Sequence, residues 1–227
     1  MVASPQLPLD FEQRPSHGSE DFLIAPCNAE AVAWLDRWPD WPAQALVLHG
    51  PAGCGKTHLA RVFAERSGAR LLGAEDLAIT PQPIAGAVVI EDAETLVRTG
   101  YERALLHLYN LAKDEGASLL LTARQPVAKW DIQLADLRSR LKAALVVHIG
   151  HPDEALIAQI LVKLFADRQL KIEPEAVAFM LARMERSFEA ARRLVEAVDR
   201  KAMAEHRNIT IPLIGEVLDE AAANRGT

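Results

Sequence analysis

Eight consecutive residues, Gly50-Pro51-Ala52-Gly53-Cys54-Gly55-Lys56-Thr57, satisfy the pattern G-x-x-x-x-G-K-[ST] at every position. The residue types explain what such a loop does. Glycines let successive backbone N–H groups curl around phosphate oxygens with no Cβ in the way. A lysine placed like Lys56 reaches the β- and γ-phosphates, and a hydroxyl placed like Thr57 can ligate Mg²⁺. The expected ligand is a nucleoside di- or triphosphate.

Further groups could complete that chemistry. Ala87-Val88-Val89-Ile90 ends in Glu91-Asp92, and Ser118-Leu119-Leu120-Leu121 ends in Thr122. Carboxylates at the C-terminal edge of a buried parallel strand stand where ligands bind in open α/β sheets. One can hold Mg²⁺ and a second can orient an attacking water. Glu91, Asp92 and Glu94 would equally suit a helix N-terminus, where the dipole favours negative charge. Thr122 can hydrogen-bond a γ-phosphate or water, although strand-end threonines also serve structure. Arg138 and Arg140, in Asp136-Leu137-Arg138-Ser139-Arg140-Leu141, could project across a subunit boundary; spacing alone reads them as surface charges.

The elements that must position these groups follow from periodicity. Ala45-Leu46-Val47-Leu48 is a short buried strand entering the loop, and Leu59 to Ala64 an amphipathic helix leaving it. Arg70–Leu72, Ala87–Ile90, Ser118–Ala123 and Ala144–Ile149 read as further strands, and Tyr101–Ala112 as a helix. The fold class expected is therefore α/β, a parallel sheet between helices. From Pro152 onward the pattern turns all-helical: 153–167, 174–184, 187–206 and a last helix from Pro212 to Ala223. Three regions result: a tail over 1–21, a nucleotide-binding core over 22–150 and a helical lid over 151–227. Asn28 is the expected N-cap of a helix over 29–38. Trp34, Trp38 and Trp41 either pack the core or wall a base pocket.

Composition narrows the class. The 227 residues carry a net charge of −6, which argues against a broad nucleic-acid footprint. The two cysteines, Cys27 and Cys54, fit a reducing cytoplasm, since one lies inside the phosphate loop. No apolar run approaches the roughly 18 residues of a membrane span, and the N-terminus lacks a secretory pattern. The tail contains Gln6-Leu7-Pro8-Leu9-Asp10-Phe11, apolar residues alternating behind a glutamine. Such a segment suits docking into a partner's groove in extended form, or simple packing on the adjoining domain.

These pieces, in this order, resemble the AAA+ ATPases, over residues 20 to 220. The branch most similar is that of DnaA, and within it the Hda family of DnaA-related replication regulators. Gly50 to Leu59, with Lys56-Thr57-His58-Leu59, resembles the branch's Walker A; Ile90-Glu91-Asp92 stands at Walker B, Leu121-Thr122-Ala123-Arg124 at sensor 1. Ser139-Arg140-Leu141 resembles the box whose arginine is offered to a neighbour's nucleotide. Arg207-Asn208-Ile209-Thr210-Ile211-Pro212, with Glu216-Val217-Leu218, resembles the family's closing segment. The resemblance implies ADP or ATP with Mg²⁺, held by residues 50–58, with Thr57 and Glu91 toward the metal. It makes Asp92, Thr122 and the trans-acting Arg140 catalytic. It reads Gln6, Leu7, Leu9 and Phe11 as a peptide that docks on the replicative sliding clamp, and DnaA as the partner whose ATP is hydrolysed. No helix-turn-helix region is expected after the lid, so sequence-specific DNA binding is not expected, and a homo-oligomer is possible. Two positions depart from the family pattern: Glu91 replaces an aspartate, and Glu189, near Arg186, Arg192 and Arg193, falls where the sensor 2 arginine belongs. Both imply weak intrinsic hydrolysis. Alternatives are a stand-alone P-loop ATPase, such as a helicase loader, and an ADP-bound scaffold.

Overall fold

The apolar runs fold as the strands of one sheet. The computed structural model describes residues 23–78 and 84–223. Within them β1 (Ala45–His49), β2 (Arg70–Leu72), β3 (Ala87–Ile90), β4 (Ser118–Ala123) and β5 (Leu145–His148) pair in the order β2-β3-β4-β1-β5. Every pairing is parallel. Parallel strands require long crossovers, which bring helices over the sheet; strands so covered have no wet side and read as continuous apolar runs. Leu46, Leu48 and Leu120 pack with Ala31 and Leu35 of α1 (Ala29–Asp36) and Leu59 and Phe63 of α2 (Lys56–Ser67). On the opposite face Val47, Ile90, Leu119 and Leu121 meet α4 (Ala93–Arg98), α5 (Glu102–Asp114) and α6 (Ala135–Lys142) through Leu96, Leu105, Leu108, Leu137 and Leu141. A short α3 (Ala74–Ala78) follows β2. The α/β sandwich expected from the strand pattern is the observed architecture.

Helices α7 (Glu154–Ala166), α8 (Pro174–Leu181), α9 (Phe188–Glu205) and α10 (Ile211–Ala223) share a separate core of Ile157, Leu161, Phe165, Met180, Val195, Val198, Leu213 and Ile214. Their ends obey local chemistry. The Asp153 carboxylate accepts from Leu156 N–H at 2.8 Å and the Ser187 hydroxyl from Ala190 N–H at 3.1 Å, each capping a helix. His206, at φ 52°, takes the left-handed conformation that closes α9.

Two local expectations change, and one open alternative is resolved. Asn28 precedes α1, but its buried amide turns back: Oδ1 accepts from Ala25 N–H, and Nδ2 donates to Leu23 O. Burial made closing the preceding turn the better use of both polar atoms. Helix α1 stops at Asp36 rather than Trp38. The tryptophans pack rather than wall a pocket: Trp41 stacks on Phe63 at 5.5 Å between centroids, and Trp38 meets the same ring edge-on at 5.8 Å. The clamp-type peptide over residues 6–11 lies outside the described residues.

Candidate nucleotide-binding site

The phosphate loop joins the C-terminal end of β1 to α2, as the motif requires. Gly53 (φ 70°) and Gly55 (φ 98°) adopt left-handed backbone, which a Cβ would strain. Among the described residues no protein acceptor takes the N–H groups of Ala52, Gly53 or Gly55. Unpaired amides at the N-terminus of a helix are the donors an anion needs. The buried Lys56 ammonium donates to Gly50 O at 2.8 Å and Pro51 O at 2.7 Å, so its charge is held at the loop. Gly50 is confined: a Cβ there would stand 2.2 Å from Ile149 O.

The Walker B-type pair sits opposite. Thr57 Oγ1 donates to Glu91 Oε2 at 3.3 Å, while Glu91 Oε1 is buried and without a partner. An orphaned buried carboxylate oxygen beside a hydroxyl is a hard-oxygen donor set of the kind Mg²⁺ takes. No cluster of three or more His, Cys, Asp or Glu suited to a metal occurs among the described residues. Mg²⁺ commonly keeps several waters and is bound through one or two protein oxygens plus substrate phosphates. The residues present therefore fit both a nucleotide phosphate and its metal.

Asp92 has φ 50° and ψ 43°, a left-handed residue at the start of α4. Its N–H donates to the buried Thr122 hydroxyl at 3.0 Å. Thr122 thus holds the Walker B turn through the backbone, and the register Ile90↔Leu121 brings the two strand ends together. Two histidines flank the loop. His49 and His148 are register partners at the ends of β1 and β5, their rings 5.0 Å apart. Burial first, then His148 and Lys56, hold the His49 pKa below its ordinary 6.5. Burial pushes the Cys54 thiol up against the pull of Lys56, which keeps it protonated and a poor nucleophile.

The start of α9 closes on the loop. Phe188 N–H donates to Gly53 O at 3.0 Å, and a Cβ on Gly53 would stand 2.8 Å from Ser187 Cβ. The Phe188 ring lies against Gly55, 3.2 Å from where a Cβ would be. The expected sensor 2 position, Glu189, is in this first turn and pairs with Arg193 at 3.1 Å. Arg186 pairs with Glu154 at 2.7 Å instead.

Arg140 is in the last turn of α6. Its guanidinium stands 5.5 Å from the centre of the Tyr109 ring, and no carboxylate pairs with it among the described residues. Arg138, two residues earlier, is tied back to Ile132 O. Sequence reasoning missed four contacts: Ser187 and Phe188 on the loop, and Glu94 and Glu102, whose carboxylates accept backbone N–H groups of the β4–α6 connection. Ser187 carries the one legible signal, a small hydroxyl residue just before a helical pattern.

A parallel sheet carrying a phosphate loop, with a four-helix unit whose α9 meets that loop, is an α/β P-loop NTPase fold. Solved AAA+ structures share this fold. Domain III of the Thermotoga maritima replication initiation protein DnaA superposes with a TM-score of 0.76 at 17% identity, covering 88% of this chain and 94% of that one. AMPPCP-bound DnaA from Aquifex aeolicus gives 0.66 at 17% identity, covering 86% and 68%. Residues 153–218 match the family described as "Hda, lid domain". The match to that family covers the helical unit, and the similarity to DnaA domain III covers the fold. A relative from Haemophilus influenzae, itself uncharacterized, is 23% identical over 185 residues, covering 76% of this chain and 80% of its own length.

Proposed function

We propose that this chain is a nucleotide-binding regulator of replication initiation that supplies Arg140 to ATP held by DnaA. The supporting observation is the contrast between Lys56 and Arg140. Lys56 is committed to its own loop, whereas the Arg140 guanidinium rests on an aromatic face with no anionic partner among the described residues. A cation so held costs little to move onto a phosphate.

In this reading the core is residues 22–150 and the lid residues 151–227. The amides of residues 52–57, with Lys56 and His58, hold the phosphates of ADP or ATP. Thr57 and Glu91 would hold Mg²⁺, which would neutralise phosphate charge. Asp92 faces the attacking water and Thr122 fixes the turn that carries it. Glu91 is one methylene longer than aspartate, a displacement of about 1 Å that weakens in-line geometry in this chain's own site. Hydrolysis is then strongest in the partner, where an arginine supplied across an interface is worth about 10³–10⁵ in rate. Gln6, Leu7, Leu9 and Phe11 dock on the sliding clamp, which brings the protein to DNA.

The test is hydrolysis of DnaA-bound ATP with DNA-loaded clamp present. Arg140→Ala is expected to lower the stimulated rate by about 10³ or more, and Gln6→Ala with Leu9→Ala to abolish clamp pull-down. Full stimulation by Arg140→Ala overturns the finger role; unchanged pull-down overturns the docking role. One observation favours a second reading, a scaffold in which nucleotide only locks core to lid: the Gly53–Phe188 hydrogen bond joins them at the loop. In that case ADP raises the melting temperature, and Arg140 matters to no activity.

A further inference from the structure

Glu102 is an acid buried in the first turn of α5, 8% exposed. Its carboxylate spans two adjacent amides. Oε1 accepts from Gln133 N–H at 2.8 Å and Oε2 from Leu134 N–H at 2.7 Å. Both are short, charge-assisted bonds, the kind that compensates a buried charge. Gln133 and Leu134 are the last two residues before α6, and α6 has no side-chain cap of its own. The loop is not packed on all sides: a cleft of about 560 Å³ runs along Val97, Gly100, Asp131, Gln133 and Leu134. Ile132, buried in the core, anchors the chain just before these residues, and the two hydrogen bonds fix the amides that lead into α6.

The other end of the same connection is held in the same manner. Glu94 Oε2 accepts from Arg124 N–H at 3.0 Å and Gln125 N–H at 2.8 Å. Between the ends, Trp130 Nε1 donates to Gln125 O at 2.8 Å. Leu137 and Leu141 seat the buried face of α6. They set its rotation, but the two Glu102 bonds set its start, and Arg140 lies six residues beyond Leu134 on a helix of eight. A shift at the start is carried along so short a helix to its end.

We propose that Glu102 is a positioning residue for Arg140: by fixing the first turn of α6 it sets where the guanidinium is presented. This rests on the finger role given to Arg140 above. Glu102→Gln keeps the shape but leaves one of the two amides facing an NH₂ group. A misplacement on the order of 1 Å costs up to about 10²-fold in an aligned reaction. Glu102→Gln is therefore expected to lower the maximal stimulated rate of DnaA-bound ATP hydrolysis by about tenfold or more, with the half-saturating concentration within about twofold.

The experiment is a double-substitution cycle with two readouts. The first is that stimulated rate. The second is the ¹⁹F NMR signal of Tyr109 in protein labelled with 3-fluorotyrosine, in a Tyr101→Phe background that removes the other tyrosine. Glu102→Gln should move the Tyr109 signal and lower the rate when Arg140 is present, and do neither further in Arg140→Ala. An unmoved signal, a signal that moves equally in Arg140→Ala, or an unchanged maximal rate while Arg140→Ala abolishes it overturns the proposal. If Arg140→Ala keeps full stimulation the finger role fails, and the Tyr109 cycle still decides whether Glu102 holds Arg140. Should Glu102→Gln fold poorly, Leu134→Pro deletes one donor at φ −74°, an angle proline accepts, with Leu134→Ala as control. It should reproduce both effects in the same direction, and no difference from the control overturns the proposal.

Discussion

The phosphate loop and helix α6 carry the two cations on which the proposed function depends, and they hold them in opposite ways. Lys56 is buried, with two backbone carbonyls of its own loop as acceptors. Arg140 is half-buried on Tyr109 and reaches no acceptor among the described residues. The loop is closed around itself and capped by Ser187 and Phe188, so its chemistry is internal. The α6 arm is fixed at its base by Glu102 and open at its tip, so its chemistry is external. Equal charges thus acquire different roles from what surrounds them.

That contrast is sharpened most by measuring both cations in both assays. The largest expected effect is the loss of about 10³ in partner hydrolysis with Arg140→Ala. The same protein should bind ADP, by titration calorimetry, about as tightly as the wild type. Lys56→Ala should weaken ADP binding by about 10- to 100-fold, from the roughly 1.5–3 kcal/mol of a hydrogen bond to a charged group. Equal losses of ADP affinity in the two variants would remove the distinction between an internal and an external cation.

A smaller effect is expected where lid meets loop. Ser187→Ala deletes the α9 cap and should cost about 1 kcal/mol in denaturant unfolding, and the loss should shrink when ADP holds the loop. A destabilisation untouched by ADP would mean that α9 and the loop are not coupled.

The smallest effect belongs to His49. Its pKa is lowered in the folded protein, so the unfolded chain binds the extra proton first as pH falls. The stability it contributes is full above the ordinary 6.5 and is lost as pH drops from there through the folded value. The melting temperature should decline over that window, and His49→Gln should flatten the decline. An equal decline in the variant would place the titration elsewhere.

The sheet was legible because burial on both faces forces unbroken apolar runs, and Leu46-Val47-Leu48 and Leu119-Leu120-Leu121 have no other use. Lys56 and Thr57 were legible because phosphate binding demands those types at that spacing. The helices from Glu154 onward showed their period. Asn28 misled because a side chain with two polar atoms can satisfy either neighbour, and only the folded turn at Ala25 made one choice better. Glu94 looked like a dipole partner at a helix start; its carboxylate in fact serves amides about thirty residues away. No local pattern marks such a use.

By itself the sequence determined a phosphate loop between strand and helix, a parallel sheet, and a helical unit after residue 152. These follow from short-range rules, since period, glycine placement and capping act within a few residues. The tertiary structure alone decided that Glu91 keeps one oxygen unpartnered beside Thr57, that α9 begins against Gly53, and that Glu102 fixes the base of the arm carrying Arg140. Each of those is a contact between residues thirty or more positions apart, and the energy of such a contact exists only once the sheet has brought its partners together.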